Sequence, residues 1–279
     1  MSRLNITLID VGWGDSIFIE SIDSNNKSSY ALIDSNDTKF YRSSFIYLKR
    51  FFEKKKIDWT TQKPMFDFVL LTHAHTDHGQ GLKSIIREFG TRFFYYPKSN
   101  KKAVLSNLIR FANRSRTIGL HQAIDVTRSM PDLGDASLKV LWPRKNQIEK
   151  NENNNSIVLQ IKLNNNSIIL TGDAEGDAWA DIDPLLPDNI NFFKVPHHGS
   201  VNGAFFSGNI SRPCWIDRLN QQDTRLGISC HLVPHDHPHK EVIDMFDREN
   251  YEYFRTDEGF HLTYQFDNQA GTQTMRYYH

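Results

Sequence analysis

The chain has little of what marks a membrane, secreted or polyanion-coating protein. Its 279 residues include two cysteines, Cys214 and Cys230. That is too few for a disulfide scaffold and reads as a reducing, cytoplasmic setting, with a Cys214–Cys230 bridge as the lesser alternative. No run approaches the about 18 apolar residues of a membrane span. The opening Met-Ser-Arg-Leu-Asn-Ile has no apolar signal-peptide region. Lys plus Arg and Asp plus Glu both number 33, so the formal net charge is zero. A surface given over wholly to nucleic acid is thereby excluded, while a local basic groove is not. Repeats and linker-like stretches are also missing, so residues 1–279 read as one domain. A hydrophobic share of 39% and a charged share of 24% fit a soluble globular chain.

What is present centres on Thr72–Gly81, Thr-His-Ala-His-Thr-Asp-His-Gly-Gln-Gly. Four of these side chains are of types that can bind metal: His73, His75, Asp77 and His78. The preceding Phe66-Asp-Phe-Val-Leu-Leu71 is short, apolar and β-prone, hence a buried strand. The following segment has apolar residues at 82, 85, 86 and 89, the spacing of a helix face. The four ligand-type residues therefore sit on a loop between a strand end and a helix start. There His73 and His75 can face one way, and Asp77 and His78 a second way a few ångströms off. Imidazole and carboxylate suit Zn²⁺, and also Mn²⁺ or Fe²⁺.

The remaining chain supplies similar strand ends. Residues 3–20 read as a hairpin around the turn Asp10–Ser16, and 29–33 as a strand ending at Asp34. That carboxylate either organises its turn or supports a metal-bound imidazole. Helices are expected over 41–56, whose lysines and arginines form a solvated face, and over 101–116. Short strands are expected at 92–96, 123–126 and 137–141. Asn153–Leu163 reads as a turn and then a strand, and 167–171 as its partner, ending in Gly172-Asp173. Residues 191–196 form a further strand, ending in His197-His198-Gly199-Ser200. A strand at 228–232 leads through Pro234–His239 into a helix over 240–249, and 251–255 and 260–266 close the sheet. Three separate strands thus end in ligand-type residues, which places their loops side by side in one composite site. His121, His231, His235, His261 and His279 read as structural or surface residues.

The pattern His-x-His-x-Asp-His after an apolar strand resembles the signature of the metallo-β-lactamase-fold hydrolases. Along nearly the whole chain the motif order is similar to the ComEC-type branch, the hydrolase domain of a DNA-uptake channel protein and its free-standing soluble relatives. The matching pieces are Asp10-Val-Gly-Trp-Gly-Asp-Ser16, Leu32-Ile-Asp34, Leu70–His78, Asn155-Ser-Ile-Val-Leu159, Leu170-Thr-Gly-Asp173, Lys194–Ser200, His237-Pro-His239 and Arg255-Thr-Asp257. The resemblance implies an α/β (α+β) chain folded as an αββα four-layer sandwich. It further implies a two-metal hydrolase, in which His73 and His75 hold the first ion. Asp77, His78, Asp173 and one of His197 and His198 hold the second, and Asp173 bridges towards the first.

One departure stands out. The wider superfamily has another metal-binding histidine before the Gly-Asp strand, where this chain has Asn153–Asn155. With Asn154 or Asn155 as a weak ligand, the first site is loose, Mn²⁺-preferring or empty. The stretch 207–225 is also divergent, and is expected to shape specificity. The function implied is a phosphodiesterase or nuclease on DNA or RNA that uses hydroxide made from metal-activated water. Asp77 would take the nucleophile's proton. His237 or His239 would donate to the substrate oxyanion or protonate the leaving group. Asp15, Ser16, Ser200 and Asn202 are the candidate substrate contacts. The alternatives are a hydrolase of a small ester, lactone or phosphoester, and a non-catalytic binding or regulatory module.

Overall fold

Alternation of apolar side chains decides which layers the strands separate. A computed structural model describes residues 2–100, 102–268 and 270–278. The chain opens with β1 (Arg3–Leu8), β2 (Ile17–Ile22), β3 (Ser28–Ile33), β4 (Phe66–Leu70), β5 (Thr91–Tyr96) and β6 (Ile118–Ala123). It continues with β7 (Ser137–Trp142), β8 (Val158–Leu163), β9 (Asn166–Leu170), β10 (Phe192–Lys194), β11 (Arg225–Ile228) and β12 (Tyr253–Arg255), which form a second sheet. It returns to the first sheet with β13 (His261–Asp267) and β14 (Thr272–Tyr278). The first sheet runs β14-β13-β1-β2-β3-β4-β5-β6 and the second β12-β11-β10-β9-β8-β7.

Leu4, Ile6 and Leu8 of β1 project from one face and meet Ile168 and Leu170 of β9 and Phe192 of β10 in a core shared by both sheets. Ile169 and Phe193, one residue out of phase, face outward into a separate cluster. A one-residue alternation along each strand thus feeds two layers. The outer face of the first sheet is covered by α1 (Ser43–Lys54), the one-turn α2 (Thr76–Gly79), α3 (Leu82–Phe89) and α4 (Ala103–Ala112). The outer face of the second is covered by α5 (Gly176–Ile182), α6 (Val201–Ala204) and α7 (Lys240–Arg248), with a last turn, α8 (Thr256–Gly259), leading back to β13. The expected αββα layering is the one observed. On α3, Leu82, Ile85, Ile86 and Phe89 are the buried residues, the face that their spacing marks.

Strand direction sets where the site lies. The pairs β3/β4, β4/β5 and β5/β6 are parallel in the first sheet, as are β9/β10, β10/β11 and β11/β12 in the second. Parallel neighbours end on the same edge, so the carboxyl ends of β3 and β4 come to face those of β9 and β10.

Several expected elements shift. The strand expected at 123–126 lies at 118–123, where Ile118 pairs with Thr91 and Tyr96 with Ala123. Asp125 instead turns the chain, accepting from Thr127. The strand expected at 228–232 is β11, ending at Ile228, because the chain leaves the sheet there and brings the Ser229 carbonyl to His198. β14 and α5 are additions that the sequence reading did not contain. The expected helix 101–116 is α4, its first residue lying outside the described set, as does His279. Cys214 and Cys230 are both free and buried, so the bridge alternative is not realised. Cys214, Trp215 and Ile216, from the divergent stretch, belong to the core of the second sheet's outer layer. Among the described residues no helix is long and apolar enough to cross a membrane.

Candidate metal centre

Two glycines let the loops meet. Gly172 has φ +53°, and a Cβ there would stand 2.9 Å from Ser156 Cβ and 3.1 Å from Thr72 Cβ. Gly14 has φ +103°, and its Cβ would stand 2.4 Å from the Asp77 carbonyl oxygen. Both positions need a left-handed backbone and have no room for a side chain. The strand ends of the two sheets therefore close upon each other, and four donors meet.

Asp77, His78, Asp173 and His198 each present a ligand atom, all within 4.8 Å of one another, and all four residues are buried. His78 Nε2 lies 3.2 Å from Asp173 Oδ2 and 3.5 Å from Asp77 Oδ2. His198 Nε2 lies 3.3 Å from Asp173 Oδ2 and 3.9 Å from Asp77 Oδ2. Donors bound tetrahedrally at about 2.1 Å stand about 3.4 Å apart, so these edges fit a divalent ion. The buried Nε2 atoms of His78 and His198 make no hydrogen bond among the described residues. Buried polar atoms are rarely left so, and two aimed at one carboxylate mark a place for a cation.

The other ring nitrogens are taken. Asp34 Oδ2 lies 2.7 Å from His78 Nδ1, and the Ser229 carbonyl 2.9 Å from His198 Nδ1. With Nδ1–H donating, each imidazole keeps Nε2 for the cluster. Asp34 also accepts from the Thr72 backbone N–H at 2.7 Å and from Thr72 Oγ1 at 2.5 Å. It thus fixes the start of the His-rich loop as well as one of its rings. Burial penalises the charged form of His78, yet the carboxylates of Asp173, Asp77 and Asp34 outweigh it and hold the ring well above its ordinary value. Asp173 answers in kind: burial pushes it up, and His198 and His78 pull it well below the carboxylate range. Asp34→Asn is expected to loosen divalent-ion binding by about 10- to 100-fold. Calorimetric titration of metal-free protein with Zn²⁺ checks this; an unchanged affinity would leave Asp34 with loop-holding alone.

His73 and His75 sit beside this quartet. Their Nε2 and Nδ1 atoms are 3.1 Å apart, and His73 Nε2 is 3.8 Å from Asp173 Oδ2. Burial, and then the His78 charge, hold His73 well below the usual imidazole range. The backbone between them is pinned by Glu152, whose Oε1 accepts from Ala74 N at 2.9 Å. Of His197 and His198, the structure places His198 in the quartet; His197 Nε2 is 4.0 Å from Asp173 Oδ2.

The layout is that of the metallo-β-lactamase fold. No family model matches the chain. Over 97% of its length it is 26% identical to ComE operon protein 3 of Bacillus subtilis (strain 168), of which it spans 34%. That likeness supports a relation to the ComEC-type branch. CmlA, a diiron β-hydroxylase from Streptomyces venezuelae, shares the fold at 13% identity with a TM-score of 0.51, over 94% of this chain and 54% of CmlA. A metallo-β-lactamase of Cronobacter sakazakii aligns at 13% identity and a TM-score of 0.42, over 64% of this chain and 72% of that one.

Other expected site residues land elsewhere. Asn154 Oδ1 accepts from Glu175 N at 2.8 Å, and Asn155 Oδ1 from Glu149 N at 2.7 Å. Each side-chain oxygen thus holds the local turn, and neither belongs to the buried quartet. Asp15 and Ser16 are fully buried, and Asp15 Oδ2 pairs with the equally buried Lys194 at 2.5 Å. Asp15 Oδ1 is 3.6 Å from His198 Nδ1, so the carboxylate lies on the far side of that ring from the quartet. Asp15 is a support beneath the site, not a substrate contact. Ser200 caps α6 by accepting from Gly203 N at 3.1 Å. Asn202 is exposed on α6. His239 Nδ1 accepts from Val201 N at 3.0 Å, tying α7 to α6, while His237 stands with its ring centroid 5.6 Å from that of His197. Burial, then the charges of His198 and His197, bring His237 down to about 3. A neutral ring can donate an N–H hydrogen bond to an oxyanion; it has no proton to give a leaving group near pH 7. Sequence reasoning did not single out Lys194, Glu152 or Glu175, and none has a local spacing signal that marks it.

Proposed function

We propose that the chain is a metal-dependent phosphodiesterase acting as a nuclease on DNA or RNA, with two divalent ions at the carboxyl edge shared by the sheets. The observation that carries this reading is the buried quartet Asp77, His78, Asp173 and His198, with two unpartnered imidazole nitrogens aimed at one carboxylate. These four residues would hold one ion, and His73 and His75, with ring nitrogens 3.1 Å apart, would hold a second. The donor set suits Zn²⁺, with Mn²⁺ or Fe²⁺ as alternatives.

Bound divalent ions supply Lewis acidity and lower the pKa of water, and a pair of them compensates charge on both the attacking and the leaving oxygen of a phosphodiester. The protein does the positioning. Asp34 and the Ser229 carbonyl lock the two rings, and Asp173 sets the spacing between the two groups of ligands. The Asp77 carboxylate lies within the quartet, where it can accept a proton from the nucleophile. His237, neutral and beside His197, is placed to donate to the oxyanion of the substrate. The resemblance to the ComEC-type hydrolase domains supports nucleic acid as the substrate class.

The test is hydrolysis of bis(p-nitrophenyl) phosphate by metal-stripped protein with Mn²⁺ and Zn²⁺ added back in turn. Metal-dependent turnover is expected, followed by cleavage of single- or double-stranded DNA or RNA that weakens between 50 and 200 mM salt, about as counterion release requires. Silence with both ions would sink the phosphodiesterase reading in favour of a small-ester or lactone hydrolase, or a binding module.

A further inference from the structure

Four imidazoles turn Nε2 toward a single oxygen. The Nε2 atoms of His78, His198, His73 and His197 lie 3.2, 3.3, 3.8 and 4.0 Å from Asp173 Oδ2. In His78 and His198 the opposite nitrogen is held by a carboxylate or a carbonyl. His197 has a carboxylate on the corresponding side, for its Nδ1 lies 3.1 Å from Glu175 Oε1, an ion-pair contact without hydrogen-bond alignment. Glu175 is braced in turn. Its Oε1 accepts from Asn153 Nδ2 and its Oε2 from Asn151 Nδ2, each at 2.6 Å, and its backbone N–H donates to Asn154 Oδ1. A carboxylate behind an imidazole sets the tautomer and aims the far nitrogen at a metal.

The backbone is bent for the same purpose. His197 (φ 48°, ψ 47°) and His198 (φ 55°, ψ 21°) are successive left-handed residues, a conformation that costs about 1–2 kcal/mol for each non-glycine residue. Extended neighbours would point to opposite sides; these two both reach Asp173. A place for the second ring exists. His73, His75 and the shared Asp173 make three protein ligands, so a fourth would close a tetrahedral set; the oxygens of Asn154 and Asn155 each already accept a backbone N–H.

Resting on the metallohydrolase reading above, we propose that His197, oriented by Glu175, is the ligand that completes the first metal position beside His73, His75 and Asp173. The asparagine turn 151–154 contributes no ligand; it holds the carboxylate that orients one. The first position is then a strong site, contrary to the loose or empty site that the sequence implies.

The proposal is tested on metal content and affinity. Metal-stripped wild type, His197→Gly and Glu175→Gln are titrated calorimetrically with Zn²⁺ and Mn²⁺, and bound metal is counted by mass spectrometry after dialysis. Glycine accepts the left-handed backbone, and circular dichroism of the metal-free variants verifies the fold. Two ions are expected in wild type, one in His197→Gly, and two in Glu175→Gln with the weaker constant loosened by about 10- to 100-fold. Two ions bound with unchanged constants in His197→Gly would overturn the proposal. So would a wild type that binds one ion only. A wild type that binds none overturns the metal reading itself, a result distinct from either.

Discussion

Asp173→Ala is expected to abolish metal-dependent phosphodiester hydrolysis, lowering kcat/KM by on the order of 10³-fold or more. The magnitude follows from the several kcal/mol of charge stabilisation that bound metals give a transition state, at 1.36 kcal/mol per tenfold in rate. Asp173 carries this weight because Nε2 atoms of His73, His78, His197 and His198 are all within 4.0 Å of its Oδ2. Removing it leaves Asp77 as the one carboxylate of the quartet and takes away the oxygen that joins the two ligand groups. The measurement is steady-state turnover of bis(p-nitrophenyl) phosphate with saturating Mn²⁺, together with metal content. A variant that retains a tenth of wild-type kcat/KM would show that Asp173 is not the shared ligand.

Lys194→Met is expected to cost stability more than any surface charge change. Lys194 Nζ is fully buried, 2.5 Å from Asp15 Oδ2, 3.2 Å from the Gly172 carbonyl oxygen to which it donates, and 3.9 Å from Asp173 Oδ1. Burial disfavours its charge, but Asp15, then Asp173, outweigh that and raise its pKa. Losing the lysine leaves the buried Asp15 without its nearest cation, beside the rings of His198 and His78. Breaking a buried pair on one side costs about 3–5 kcal/mol, or roughly 10 °C in Tm for a chain of this size. Scanning calorimetry of metal-free protein reads the change. The double variant Asp15→Asn with Lys194→Met should recover much of it, since removing both charges also removes the desolvation penalty. A single variant that melts within 2 °C of wild type would mean that the ion pair adds nothing to the fold.

What could be read from the sequence is what is local. His73, His75, Asp77 and His78 fall within six residues, and the helix face at 82, 85, 86 and 89 follows a fixed period, so loop and helix were both visible. Asp34 and Asp173 were visible because each follows a short apolar strand. Asp15 was singled out as a substrate contact, but its pairing with Lys194 was not readable, because it depends on how two sheets dock; in the sequence one is a turn residue and the other a strand lysine. Glu175 was hidden for the same reason. The asparagines misled because composition cannot tell a ligand oxygen from one that accepts a backbone N–H. β14 escaped because Thr272–Tyr278 is mostly exposed and has no sustained apolar alternation. The seven residues of α5 are too few to establish a period.

The meeting of strand ends from two sheets has a consequence for how the chain reaches its working state. Asp34, Asp77 and His78 come from the first sheet, and Asp173 and His198 from the second. Neither half owns a complete coordination set, and the His-rich loop by itself is an ordinary polar surface turn. The entropy of closing so long a span grows only slowly with its length, but the closure is rewarded only once both sheets are packed. Competence to bind the ion is therefore a property of the finished sandwich, acquired at the last docking step and absent from every partly assembled form that precedes it.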